Sequence, residues 1–289
     1  MENVLQLIFS GLALGGIYAM IAIGFVTIFK VAGIINFAQG DFAMVAGVAM
    51  VFCLALDIPL WTAVLAAILA SAIVGMLVHR AVLDRMRHQS ATIQIILTIA
   101  VSIVLQSLSQ LMVGSQPKSV PPFLAGEPIV WLNSAIPKQN LVIMGATVLL
   151  LILLYFFFEK SYIGSALRAV MMSREVSRLL GISARSIATT SFVIGAVVAG
   201  VAGAVIAPIT LVSYDMGITL GLKGFVAAVF GGLVDVPGAV AGALILGLLE
   251  SLGAGLISSA YKDAIAFVIL ILILLFRPHG LFGKHAHRV

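Results

Sequence analysis

Apolar runs of the length that crosses about 30 Å of bilayer hydrocarbon recur along this chain. They cover 5–28, 36–57, 60–79, 91–113, 140–158, 187–212, 238–257 and 262–277, and a shorter run covers 217–234. In lipid a helix satisfies its own backbone hydrogen bonds, so each run predicts a helix. The pattern describes an all-α integral membrane protein: a polytopic helical bundle of about eight spans plus one short or re-entrant segment, with residues 1–289 as a single transmembrane domain.

Polar residues interrupt this pattern at a few points. Between the first two spans the sequence reads VAGIINFAQGDFAM, placing Asn36, Gln39 and Asp41 beside Gly33 and Gly40. One reading is a plain turn with Asn36 capping the second helix. The other is a broken helix whose free amides border a solute path. In the fourth span, Gln94, Thr98, Ser102, Gln106 and Gln110 recur at every fourth position. Each step of four drifts by roughly 40°, so the stripe winds slowly around the helix. It serves either hydrogen bonding between helices or the translocation path, and both uses place it inside the bundle. Asp215, Asp235, Glu250 and Asp263 fall near span ends, where water reaches them. Glu250 is the least comfortable, and a coupling-ion or proton role is its alternative. Gly11 with Gly15, Gly238 with Gly242, and the small residues of 195–207 allow close helix packing.

Composition agrees with this picture: 62% of the 289 residues are hydrophobic, 9% are charged and the mean hydropathy is +1.22. The net charge of +5 reflects topology and needs no nucleic-acid partner, because loops on the cytoplasmic side carry the excess of Lys and Arg. The arginines fall in three places: Arg80, Arg85 and Arg87; Arg168, Arg174, Arg178 and Arg185; and Arg277 and Arg288. Those segments are expected inside, with the N-terminus and an ordered, proline-bearing loop at 114–139 outside. The start of the chain lacks a basic n-region and reads as the lead into the first span. Starting inside at Arg185 and ending inside at Arg277 requires an even number of crossings, so the 217–234 run must supply a crossing or a re-entrant arm. With it, the order near 217–277 repeats that near 5–79, an expectation of internal duplication.

Cys53 is the single cysteine, which excludes an internal disulfide and a thiolate metal site. His79, His88, His279, His285 and His287 fall in flanks and read as solvated residues, so no metal is expected. There is no phosphate-binding Gly-x-x-x-x-Gly-Lys-(Ser/Thr) loop, and no cofactor is expected on this chain.

Between the fifth and sixth spans, the loop at 160–186 is too polar to cross again. Ala166, Leu167, Ala169, Val170, Val176, Leu179 and Leu180 group on one side of a predicted short helix, and Gly181 is its stop. Such a helix either lies on the bilayer surface or docks a soluble partner. Sequence periodicity alone leaves both open.

Five stretches carry a resemblance across nearly the whole chain: GLALGGIYAMIAIGF; INFAQGDFAM; GSALRA followed by LLGI; AAVFGGLVDVPGAVAGALILGLLE; and YKDAIAFVILILILLFRPHGLFG. Together they resemble the membrane permease subunits of branched-chain amino acid ABC importers. Gln39 and Asp41 stand where that family often has His and Glu, which leaves the solute open among branched-chain amino acids, amides, urea-like solutes and aromatic acids. The resemblance implies a cytoplasmic coupling helix that seats in an ATP-binding subunit through Gly164, Ala166, Arg168, Ala169, Arg174, Glu175, Leu179, Leu180, Gly181 and Ile182. The polar break and the stripe of the fourth span make Asn36, Gln39, Asp41, Gln94, Thr98 and Ser102 the candidates for the path.

The implied protein is no enzyme but a permease subunit in the cell inner membrane. Its partners would be two ATP-binding subunits, a second permease (a similar chain or another copy) and an extracytoplasmic solute-binding protein. The alternative is a stand-alone channel or secondary transporter using Asn36, Asp41 and Glu250. An intramembrane hydrolase is disfavoured because no histidine falls inside a predicted span.

Overall fold

The computed structural model describes residues 2–86, 88–131, 134–233, 235–256, 258–259, 262–276 and 280. Arg87, Arg277, Arg288, His279, His285 and His287 lie outside the described residues. The elements are α1 (Glu2–Ala32), α2 (Gln39–Ala55), α3 (Leu60–Leu77) continuing into a π-helical turn (Val78–Leu83), α4 (Ala91–Val113), a hairpin of β1 (Ile129–Trp131) and β2 (Ser134–Ile136), α5 (Lys138–Lys160), α6 (Tyr162–Met172), α7 (Arg174–Leu179), α8 (Ala184–Ile206), α9 (Met216–Gly231), α10 (Val236–Leu256) and α11 (Lys262–Phe276). Among the described residues six helices are long and apolar enough to cross a membrane: α1, α3 with its π turn, α4, α5, α8 and α10. The other three apolar helices are shorter, at 17 residues for α2, 16 for α9 and 15 for α11. The all-α membrane bundle expected from the apolar runs is therefore present.

Helix ends follow local chemistry. Pro59 and Pro137 precede α3 and α5, where a missing N–H costs nothing. Ser90, Ser161, Ser173 and Ser183 each accept a hydrogen bond from a first-turn amide of α4, α6, α7 and α8. Helix α1 is the hub and packs against α10, α8, α9 and α5. Gly11 and Gly15 meet the α10 backbone at Gly247, Leu244 and Leu248, leaving no room for a side chain.

Successive helices bring Lys30, Arg80, Arg85, Arg168, Arg178 and Arg185 to one end of the bundle, here the basic end. The 114–139 segment lies at the other. Within it β1 and β2 pair antiparallel, and Lys118 bridges to Val212 in the connection after α8. Gln139 at the foot of α5 donates to Val205 O of α8 at 2.9 Å and accepts from Phe123 N at 3.3 Å.

Two helices start inside the bundle. The Gln39 side chain fills the space beside Gly24 of α1 and donates to Gly195 O of α8 at 2.9 Å. Those glycines lie eight and eleven residues from the basic ends of their helices, so α2 begins about 12–16 Å inside it at 1.5 Å rise per residue. Helix α9 begins at the same depth, because Gly40 and Asp41 touch Gly217. From there α2 runs toward the hairpin end and α9 toward the basic end. The expected run at 36–57 thus shortens to a helix that starts at Gln39 inside the bundle. The 217–234 run is half of a broken crossing, its outer part being the irregular 207–215 segment. In addition, α1–break–α2 is mirrored by α8–break–α9 in the opposite direction, the inverted arrangement of many transporters.

Candidate functional site

The α1–α2 break gathers the predicted path residues. Asn36 Oδ1 accepts from Ala38 N at 3.2 Å, a local turn two residues long; α2 itself has Ala38 at its N-cap position and no side-chain cap. The capping reading is thus replaced by a turn that directs the chain back into the bundle. Phe37 N donates to Thr98 Oγ1 at 3.1 Å, tying the break to α4. One turn further in, Gln106 Nε2 reaches Ser102 Oγ at 2.8 Å and Asp41 Oδ1 at 3.3 Å. Asp41 is buried against Gly217, where an anionic group complements the amide end of α9.

Asn36, Asp41, Thr98 and Ser102 therefore form one polar column between α2, α4 and α9, while Gln39 points to the other side of α2, between α1 and α8. Asn36 Nδ2 in the turn and Gln39 Oε1 between α1 and α8 are buried without hydrogen-bond partners, and a buried polar atom left unpaired is costly unless something else visits it. Gln94 stands lower on α4, donating to Gln89 O at 2.9 Å. It lines a polar cavity of about 390 Å³ at the basic end, together with Gly33, Ile34, His79, Arg178 and Arg185. Gln110, at the far end of the stripe, has turned to the surface.

At the basic end the predicted 166–180 helix is two helices. Ser173 is extended (φ −155°, ψ 118°) and ends α6 while capping α7. Leu167 and Val170 bury against Val31, Ile187 and Phe158, with Ala166 in the same cluster. Val176, Leu179 and Leu180 do not join that face, contrary to the periodicity, because the break at Ser173 rotates α7 away. Met172 is 90% exposed, Leu179 87% and Leu180 71%. Gly164 is enclosed by the Phe157 and Phe158 carbonyls, so neither it nor Ala166 offers surface to a partner. Arg168 donates to Phe158 O and pairs with Glu159 at 3.5 Å, fastening α6 to the end of α5. Ala169 is half-buried, while Glu175 and Gly181 are exposed; Gly181 has φ +78°, which suits a residue without Cβ. Arg174 opens α7.

Two features were missed. Glu250, expected near water, is fully buried: Lys223 Nζ lies 2.7 Å from its Oε1, and the Tyr18 hydroxyl donates to its Oε2 at 2.9 Å. Lys223 also lies 2.7 Å from Asp263. Opposite charges inside two apolar runs, at Lys223 and Glu250, were the available signal. His79, expected in a solvated flank, is buried in the π turn, within the long α3 crossing. It shares a 3.0 Å hydrogen bond with Thr189 Oγ1 and packs on Phe192. Beside it Asp84 pairs with Arg185. Among the described residues no group of three His, Cys, Asp or Glu is placed to hold a metal ion.

Comparison with known proteins agrees over nearly the full length. The family described as branched-chain amino acid transport system, permease component, matches residues 7–274. The chain is 34% identical to the high-affinity branched-chain amino acid transport system permease protein BraD of Pseudomonas aeruginosa, covering 97% of this chain and 96% of that protein. It is equally similar, 34% with the same coverage, to the permease protein LivH of Escherichia coli K12. A probable LivH of Methanocaldococcus jannaschii is 27% identical over 91% of this chain and 88% of its own. Among solved structures, PsaBC from Streptococcus pneumoniae in complex with Fab matches 98% of this chain and 94% of its own at a TM-score of 0.53 and 12% identity, a likeness of fold alone.

Proposed function

This chain belongs to the family of permease components of branched-chain amino acid transport systems, and from that premise we propose how its residues serve such a system. It is a multi-pass inner-membrane permease subunit of an ABC importer for branched-chain amino acids or a related small solute. ATP is hydrolysed by separate ATPase subunits, a second permease completes the pathway, and a binding protein delivers solute from outside.

The observation that carries the coupling is the α6–α7 unit. Its inner face is anchored by Leu167, Val170 and Arg168, while Met172, Val176, Leu179 and Leu180 stand exposed beside Glu175 and Arg178. An apolar patch rimmed by charge, rigidly attached to the bundle and at its basic end, suits a protein partner better than water. With that end cytoplasmic, the patch faces the ATPase. Gly164, Ala166 and Arg168 then act by seating the unit, and Leu179, Leu180 and their neighbours make the contact.

The solute path follows the column from Asp41 and Ser102 through Asn36 and Thr98 to the cavity at Gln94. Asn36, Asp41 and Thr98 are buried and the polar cavity lies on their basic-end side; in such a path, alternating access would open the two regions in turn. A stand-alone channel would leave the exposed α7 patch without use. Copurification tests the assignment: coexpressed with the ATPase, the chain is retained in a complex whose ATP hydrolysis drives uptake in vesicles. Uptake by the chain alone would favour the channel.

A further inference from the structure

A groove of about 650 Å³ opens between α1, α5, α6 and α10, apart from the polar column. Leu151, Leu154, Val240 and Leu244 line it, with Thr27, Lys30 and Arg168 toward its mouth. We propose that this groove holds one acyl chain of an anionic phospholipid whose phosphate is held by Lys30.

Dimensions and chemistry support that occupant. From Lys30 to Ile23, both lining the groove, is seven residues, or about 10 Å along the axis, within one leaflet's share of a hydrocarbon layer of about 30 Å. At the rim Arg168 is engaged by Glu159 at 3.5 Å and by Phe158 O. Lys30 is exposed and has no acidic partner among the described residues. One turn inward, on the same helix face, Thr27 Oγ1 is buried without a hydrogen-bond partner. A phospholipid matches this order from the rim inward: phosphate for Lys30, an ester carbonyl to accept from the Thr27 hydroxyl, then hydrocarbon against the leucines. Basic groups at the mouths of clefts between membrane helices are a recurring anionic-lipid site.

The test is lipid retention by the purified full chain in detergent, read by native mass spectrometry after adding phosphatidylglycerol or phosphatidylcholine. Wild type is expected to retain phosphatidylglycerol preferentially. Lys30→Gln should weaken that retention about fivefold, the contribution of roughly one basic residue at a membrane surface, while Lys30→Arg preserves it. Ala241→Trp, which fills the groove without touching its rim, should abolish retention of both lipids. Equal retention of the two lipids by wild type, or unchanged retention by Lys30→Gln, would overturn the proposal. So would a disulfide-linked dimer formed through Leu244→Cys in a Cys53→Ser background, since a second chain would then cover the groove. The readout needs no ATPase and stands or falls apart from the transport assignment.

Discussion

Lys223 and Glu250 face each other at 2.7 Å in the interior of the bundle, one on the short α9 and the other on α10. The Tyr18 hydroxyl and, at 3.4 Å, Lys262 also meet the carboxylate, and Asp263 from the first turn of α11 takes the other side of the ammonium. One ion pair thus joins α1, α9, α10 and α11, and it holds in place the half-helix α9, which is too short to be fixed by length alone.

Removing one partner leaves the other charged and buried. Lys223→Met and Glu250→Leu are each expected to destabilise the folded protein strongly, by about 3–5 kcal/mol, whereas the double change Lys223→Met with Glu250→Leu should cost far less than the sum. Thermal unfolding in detergent, followed by size-exclusion fluorescence, measures the cycle. Additive losses would show that the pair is not coupled.

The meeting of the α2 and α9 starts depends on missing side chains. A Cβ on Gly40 or Gly217 would collide with backbone or with the Asp41 carboxylate, while one on Gly145 of α5 meets nothing within 4 Å. Gly40→Ala and Gly217→Ala should therefore cost about 1–3 kcal/mol or more, and Gly145→Ala should be neutral or slightly stabilising. The yield of monodisperse protein from membranes distinguishes them.

In the polar column, Asp41→Asn should retain the fold while changing uptake rate severalfold, because it keeps the size of the side chain and the Gln106 contact but removes the charge beside the start of α9. Gln39→His, on the α1–α8 side of the same helix start, should shift solute preference. Uptake competition among amino acids and amides in vesicles, with the binding protein present, reads both. Unaltered rate and preference in both variants would remove the α1–α2 break from the path.

Much of this architecture was legible in the sequence, for a definite reason. Hydrocarbon thickness sets the length of an apolar run, so the long helices stand out, and Asn36, Gln39 and Asp41 stand out because polarity is costly there. Depth was not legible. Glu250 lies close to a span end along the chain, yet neighbours α1, α9 and α11 close over it. The half-helices α2 and α9 look like ordinary runs until Gly40 is seen against Gly217. Periodicity carried Val176 and Leu179 onto the face of Leu167 because it assumes an unbroken helix, and a single serine, Ser173, leaving the helical region is enough to undo that. His79 was set aside as a flank residue because a π turn extending α3 leaves little trace in hydropathy.

In the proposed importer, ATP hydrolysis is transmitted to the bundle through the exposed side of α7. Uptake and ATP hydrolysis should be measured together for Leu179→Ser/Leu180→Ser in vesicles containing the ATPase, the second permease and the binding protein. The account predicts inserted, folded permease with uptake lost and ATP hydrolysis no longer stimulated by loaded binding protein. Wild-type uptake with wild-type stimulation in that variant would contradict it.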